Sequence, residues 1–207
     1  MSSRKVTDCV YVDFKRAFDV VSHQKLLTKL IAYGIDGLLL EWIRAFLFNR
    51  LQFVYINFVL STPCTVTSGV PQGSVLGPLL FLIFINDVCD FATGTVITKL
   101  FADDLKIYPE VAVNCDSPDL QACLSRLYAW ASEWQMDIAF DKCYTITYGN
   151  RNHVDLTNYN LGGHLLPHVD VICDLGVNMD HLLNFSSHCR IICAKANARA
   201  NLILRCF

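Results

Sequence analysis

Two apolar runs that end in acids organise this chain. Cys9-Val10-Tyr11-Val12 leads directly into Asp13, and Leu100-Phe101-Ala102-Asp103-Asp104-Leu105-Lys106-Ile107-Tyr108 places two adjacent aspartates between two apolar stretches. The second pattern predicts a strand, a tight turn and a strand. After Asp13, Ser22 caps a predicted helix with apolar positions Leu26, Leu27, Leu30 and Ile31, stopped at Gly34. A second helix carries Leu39, Trp42, Ile43, Phe46 and Leu47 at the same spacing. Gln52 to Leu60 reads as a strand, with Pro63 to Thr67 as its partner. The glycine- and proline-punctuated stretch from Ser68 to Pro78 then opens onto a helix through Leu79-Leu80-Phe81-Leu82-Ile83-Phe84-Ile85-Asn86. Ser117-Pro118-Asp119 is a helix start, and Leu120, Cys123, Leu124, Leu127, Ala131 and Trp134 form one apolar stripe behind it. That stripe makes Trp130 and Trp134 core residues rather than base-stacking platforms. Tyr144 to Tyr148 returns as a strand, and Leu161-Gly162-Gly163-His164 forms a hairpin turn.

The carboxylates are what this pattern leaves unexplained. Turns recruit aspartate for local hydrogen bonding, and that ordinary reading covers most Asp-Asp pairs. Carboxylates at the ends of buried strands are nevertheless costly unless a cation meets them. If Asp13 ends a strand beside the Asp103-Asp104 hairpin, three hard oxygen ligands converge, a set suited to Mg²⁺ or Mn²⁺ rather than to zinc. Two such ions activate an attacking oxygen and steady a leaving one in nucleotidyl transfer. The Ser68 to Pro78 loop would let backbone approach a flat ligand closely, although an ordinary strand-to-helix turn explains it equally well.

Composition narrows the setting. The 207 residues, 53% of them hydrophobic, suffice for one sizeable core, so a single domain is expected. The net charge of −2 and pI of about 6.3 are unlike the basic surface of a protein that grips a nucleic-acid duplex by its phosphates. The ten cysteines include no Cys-x-x-Cys pair; with no secretory leader in view they are expected as reduced thiols of an intracellular protein, Cys189 and Cys193 on a buried helix face. The most apolar run, Leu79 to Ile85, is far shorter than the roughly 20 residues a bilayer requires.

Taken in order, the segments resemble the reverse transcriptase domain of non-long-terminal-repeat retrotransposons, the LINE-like and jockey-like elements. The matching stretches are Val12 to Asp19 with Ser22-His23, Ser68 to Pro78 with Phe81 to Asp87, and Phe101-Ala102-Asp103-Asp104. They continue through Trp130, Trp134-Gln135, Asp141-Lys142-Cys143, Asp174-Leu175-Gly176-Val177, Phe185-Ser186 with His188, and Ala194-Lys195-Ala196. The resemblance implies an α+β polymerase palm, a ferredoxin- or RRM-like antiparallel sheet backed by helices, over about residues 1–178 with fingers-derived elements. Residues 179–207 would begin a thumb.

The same resemblance implies an RNA-directed DNA polymerase with two Mg²⁺ (or Mn²⁺) ions, an RNA template, a DNA primer and deoxynucleoside triphosphates. Asp13, Asp103 and Asp104 match its catalytic, metal-binding carboxylates. Phe18 matches the bulky residue under the incoming sugar that rejects a 2′-hydroxyl. Phe14 falls in the substrate-binding stretch, and Arg16 and Ala17 match positions whose backbone N–H groups face the triphosphate. Gln72 and Gly73 match contacts to the nucleotide and template, Lys142 a lysine that assists proton transfer to pyrophosphate, and the strand around Leu175-Gly176-Val177 the primer grip. Two positions depart from the pattern: Ala139 replaces an asparagine and Leu105 a threonine. An upstream fingers segment and an endonuclease region are expected to lie outside the chain, which alone should show little or no primer extension. The competing reading is a non-catalytic remnant or domesticated palm serving as a structural or interaction module. A metal-dependent phosphatase or nuclease would leave Phe18 and the Gln72 loop unexplained.

Overall fold

A computed structural model describes residues 6–92, 95–110, 118–150 and 156–206; Ser117, read as a helix cap, lies outside them. The chain runs from β1 (Thr7–Val12) through a single turn, α1 (Ala17–Val20), into α2 (His23–Ala32) and α3 (Gly37–Leu47). Four two-residue strands follow: β2 (Leu51–Gln52), β3 (Tyr55–Ile56), β4 (Val59–Leu60) and β5 (Cys64–Thr65). After α4 (Leu76–Ile85) come the hairpin β6 (Val96–Phe101) and β7 (Asp104–Pro109), then α5 (Pro118–Trp134) and β8 (Tyr144–Tyr148). Two small hairpins, β9 (Asn160–Leu161) with β10 (His164–Leu165) and β11 (Val171–Asp174) with β12 (Val177–Asp180), precede α6 (Ser186–Cys206). The architecture is α+β.

The main sheet has the order β6-β7-β1-β8, and each adjacent pair is antiparallel. Alternation along β1 assigns its two faces. Val10 and Val12 enter the main core with Leu105 and Ile107 of β7, Leu80, Phe81 and Phe84 of α4, and the apolar stripe of α5. Cys9 and Tyr11 point to the other face, where Cys9, Ile146 and Ile172 form a second cluster that seats the β11–β12 hairpin on the sheet. Burial pushes the Cys9 thiol up to about 12, which keeps it an inert apolar group. On the core side, Gln121 of α5 treats β9 as a strand neighbour, donating to the Asn160 carbonyl at 2.8 Å and accepting from its N–H at 2.9 Å.

Several expected elements take a different form. Leu26, Leu27 and Leu30 of α2 are buried, but Ile31 is 54% exposed. In α3 the buried stripe is Leu40, Ile43 and Leu47, while Leu39 and Trp42 face solvent. The apolar spacing there fits two overlapping faces, and packing against α2 selects one. Gln52 to Leu60 is not one strand: Asn57 and Phe58 adopt left-handed backbone, φ 49 and 65, and turn β3 back onto β4. Cys189 and Cys193 are exposed, because α6 has no buried residue and meets the rest of the fold mainly at β12. Trp130 and Trp134 do pack against the core, as expected.

Behind the sheet, one cation ties three helical segments together. Lys29 of α2 is 4% exposed, pairs with Asp87 at 2.5 Å and donates to the Phe84 carbonyl. Its ammonium lies 3.7 Å from the Trp134 ring centroid and 5.0 Å from that of Trp130, whose indole N–H donates to the same Asp87 oxygen at 3.2 Å. Burial lowers the Lys29 pKa while Asp87 opposes that shift. Leaving one charge of such a pair without its partner is the costly change, whereas replacing both with apolar groups is often neutral. Asp87→Ala should therefore lose about 2–4 kcal/mol in urea unfolding, and Lys29→Met with Asp87→Leu should recover most of it. An unchanged midpoint in Asp87→Ala would show that the network contributes little.

Candidate active site

Strand register builds the acidic edge. β1 pairs with β7 through Val10–Ile107, Tyr11–Lys106 and Val12–Leu105, so the next pair in that register is Asp13 and Asp104. β6 closes on β7 with Phe101 opposite Asp104, leaving Ala102 and Asp103 as a two-residue loop. Ala102 is left-handed there, φ 53, in a position that usually recruits glycine. Asp13, Asp104, Lys106, Lys142, Tyr11, Tyr144 and Asp174 line one open cleft of about 340 Å³. Lys142 Nζ lies 3.5 Å from Asp13 Oδ2. Asp103, half-buried in the turn, stands outside the cleft lining.

The electrostatics of this edge are unfavourable without a cation. The Asp104 carboxyl is raised above the usual range by partial burial and then by Asp103, Asp13 and Asp174, with Lys106 opposing. Like-charge crowding of this kind is what a bound divalent ion relieves. Among the described residues, no three His, Cys, Asp or Glu groups are already drawn together around a metal position. The donors nevertheless suit Mg²⁺ or Mn²⁺, being carboxylate oxygens at an edge open to solvent.

A second hollow lies beside the first loop. Phe18, Gln72, Gly73, Gly77 and Pro78 line about 250 Å³. The Phe18 ring stacks on buried Phe81 at 4.0 Å between centroids, so it is fixed from below and open above. The loop is clamped to the segment after Asp13: Ser68 donates to the Asp19 carbonyl, Val70 N–H to the Phe18 carbonyl, and His23 bonds the Gly69 carbonyl at 2.8 Å. Gly69 has φ +89, and a Cβ there would sit 2.8 Å from the Asp19 carbonyl oxygen, so the approach requires glycine. Gln72 donates to Asp19 Oδ1 at 2.9 Å, which aims its amide.

The expected site residues thus divide. Asp13, Asp104 and Lys142 share one cleft; Phe18, Gln72 and Gly73 share the neighbouring hollow. Arg16 is exposed and left-handed, φ 45, at the entrance to α1, and Ala17 is buried. Phe14 is a correction to any side-chain contact with substrate: it is 2% exposed, its ring against Trp130 at 6.2 Å, and it supports the site from the core. Sequence reading missed Tyr11, Lys106 and Tyr144. The signal was available, since Tyr11 and Lys106 stand two residues from Asp13 and Asp104 and so share their face of the sheet.

A helix-backed antiparallel sheet whose edge hairpin carries an aspartate turn beside the end of β1 defines a polymerase palm-type fold. The chain belongs to the reverse transcriptase (RNA-dependent DNA polymerase) family, whose model matches residues 1–178. It is 30% identical over 195 residues to the RNA-directed DNA polymerase from mobile element jockey of Drosophila melanogaster, a match covering 91% of this chain and 21% of the relative. It is 27% identical to the probable RNA-directed DNA polymerase from transposon X-element of the same species, over 95% of this chain and 22% of the relative. The chain therefore spans about a fifth of the length of these relatives. In fold it is similar to apo telomerase from Candida tropicalis truncated from its C-terminal domain, with TM-score 0.60, 12% identity, and coverage of 87% of this chain and 35% of that one. Among the described residues no helix is long and apolar enough to cross a membrane.

The raised Asp104 carboxyl has a defined consequence. An acid whose pKa is higher in the folded state destabilises the fold as pH rises through the carboxylate range. Asp104→Asn should raise the melting temperature at pH 7 in metal-free buffer, with the gain vanishing below roughly pH 4. Mg²⁺ should stabilise the parent chain more than the variant. Equal melting temperatures at both pH values would show that the edge carries no charge strain.

Proposed function

We propose that this chain is the catalytic palm of a non-long-terminal-repeat retrotransposon reverse transcriptase, an RNA-directed DNA polymerase that adds deoxynucleotides to a primer 3′-hydroxyl. The observation that carries this reading is the β1–β7 register, which sets Asp13 beside Asp104 next to the turn that holds Asp103. Residues 1–178 are read as palm with fingers-derived elements and 179–207 as the start of a thumb. The setting is intracellular, with RNA template, DNA primer and deoxynucleoside triphosphates as partners. The relatives' much greater length accommodates fingers and endonuclease regions.

Asp13, Asp103 and Asp104 would hold two Mg²⁺ or Mn²⁺ ions, which supply positive charge for nucleotidyl transfer when bound. The chain's own groups do the positioning. Phe18, propped on Phe81, would lie beneath the incoming sugar and leave no room for a 2′-hydroxyl. Gln72, aimed by Asp19, would meet the nucleotide and template from the adjoining hollow. The backbone of Arg16 and Ala17 would face the triphosphate. Lys142, 3.5 Å from Asp13, would pass a proton to the departing pyrophosphate.

Primer extension on an RNA template with Mg²⁺ tests the reading. With a net charge of −2, the chain has little hold on phosphates, so extension by it alone should be slow and fall steeply with salt. Asp103→Asn should reduce that extension roughly a hundredfold or more, through lost charge stabilisation, with circular dichroism unchanged. Extension that persists in the variant would remove Asp103 from the mechanism. Phe18→Val should raise ribonucleotide relative to deoxynucleotide incorporation; a loss of stability with unaltered sugar selectivity would reduce Phe18 to a packing residue.

A further inference from the structure

We infer that Lys106 and Asp174 are a positioning pair that fixes the tip of the β11–β12 hairpin against the catalytic edge and thereby sets how the primer end is seated; this rests on the polymerase reading above. Lys106 Nζ lies 2.6 Å from Asp174 Oδ2, and the two side chains are only 20% and 15% exposed. The same Asp174 oxygen accepts a bond from the Tyr11 hydroxyl at 3.3 Å. The Tyr11 ring stacks on Tyr144 at 5.3 Å, and the Lys106 ammonium stands 5.7 Å from its centroid.

The place of each partner gives the pair its meaning. Lys106 follows Asp104 by two residues on β7, and Tyr11 precedes Asp13 by two on β1, so both share the face of the aspartates. Asp174 is the last residue of β11, immediately before the Leu175-Gly176 turn, where φ is 45 and 84. All three line the cleft that contains Asp13 and Asp104. The base of the hairpin is held elsewhere: Gly149 N–H donates to the His181 carbonyl, His181 N–H to the Asp170 carbonyl, and Ile172 is buried against Cys9 and Ile146. The ion pair is the tie at the tip. Each group is engaged by the other, which assigns Lys106 and Asp174 to positioning rather than to holding phosphate or cation.

Amide hydrogen exchange and extension kinetics of the chain test this together. Lys106→Met and Asp174→Asn should each speed exchange at Leu175 to Val177 by roughly tenfold, leave β1 protected, and raise the KM for primer–template about tenfold. Mn²⁺ affinity should shift only as the loss of one neighbouring charge requires, slightly up in Lys106→Met and slightly down in Asp174→Asn, and Asp174→Glu should restore the KM. A loss of Mn²⁺ binding in Asp174→Asn as large as that in Asp104→Asn would overturn the proposal in favour of a metal ligand. Tighter primer binding in Asp174→Asn with weaker binding in Lys106→Met would overturn it in favour of a phosphate-binding lysine. A lowered unfolding midpoint with an unchanged KM would leave the pair merely structural. A parent chain that does not bind primer–template even at low salt overturns the polymerase reading and this pair with it. An active parent whose variants keep their KM overturns the pair alone.

Discussion

The antiparallel register of β1 against β7 is the constraint on which the rest of the site depends. Side chains alternate faces along a strand, so a slip of one residue would exchange Val10 and Val12 for Cys9 and Tyr11 in the main core and turn Asp13 away from the cleft. The core therefore defends the acidic edge: burying Val10, Val12, Leu105 and Ile107 together forbids a one-residue slip of β1 against β7, and the observed register sets Asp13 next to Asp104. β8 reinforces this from the other side of β1, pairing from Thr7–Tyr148 to Tyr11–Tyr144. The central strand cannot shift without breaking both ladders.

Charge is distributed so that the two faces of the sheet do opposite work. On the helical side, Lys29 and Asp87 neutralise one another within an aromatic surround, and the pair fastens α2, α4 and α5. On the cleft side, Asp13, Asp103 and Asp104 are left crowded, and the lysines nearby do not fully cancel them: Lys106 is engaged by Asp174 and Lys142 is 62% exposed. A negative edge held by a rigid sheet is suited to gather divalent cations and, through them, phosphates. It also concentrates negative charge at one place on a chain whose net charge is only −2.

Much of this was legible along the chain. The apolar runs that end in Asp13 and bracket Asp103-Asp104 predicted strands and a turn, and the stripe from Leu120 to Ala131 predicted the helix that covers the sheet. Periodicity was less informative for α3, where Leu39, Trp42 and Leu40, Ile43 offered rival faces, and for α6, whose Cys189 and Cys193 are exposed. Apolar spacing states which residues could be buried together; it does not state whether a partner is present to bury them. The region from Gln52 to Leu60 failed for a related reason, since its β-forming composition was uniform and only the left-handed Asn57 and Phe58 broke it into a hairpin.

By itself the sequence determined the chemistry: three aspartates at strand ends, an aromatic five positions after the first, and a glycine-punctuated loop ahead of an apolar helix. Tertiary structure alone decided which of these groups meet. It joined Asp19 to Gln72 and Lys106 to Asp174, across separations that no local pattern encodes. It also withdrew Phe14 into the core while leaving Phe18 open on its support of Phe81. The physical reason is that local propensity acts over a few residues, whereas register, burial and ion pairing are settled between strands and helices that are neighbours only once the chain has folded.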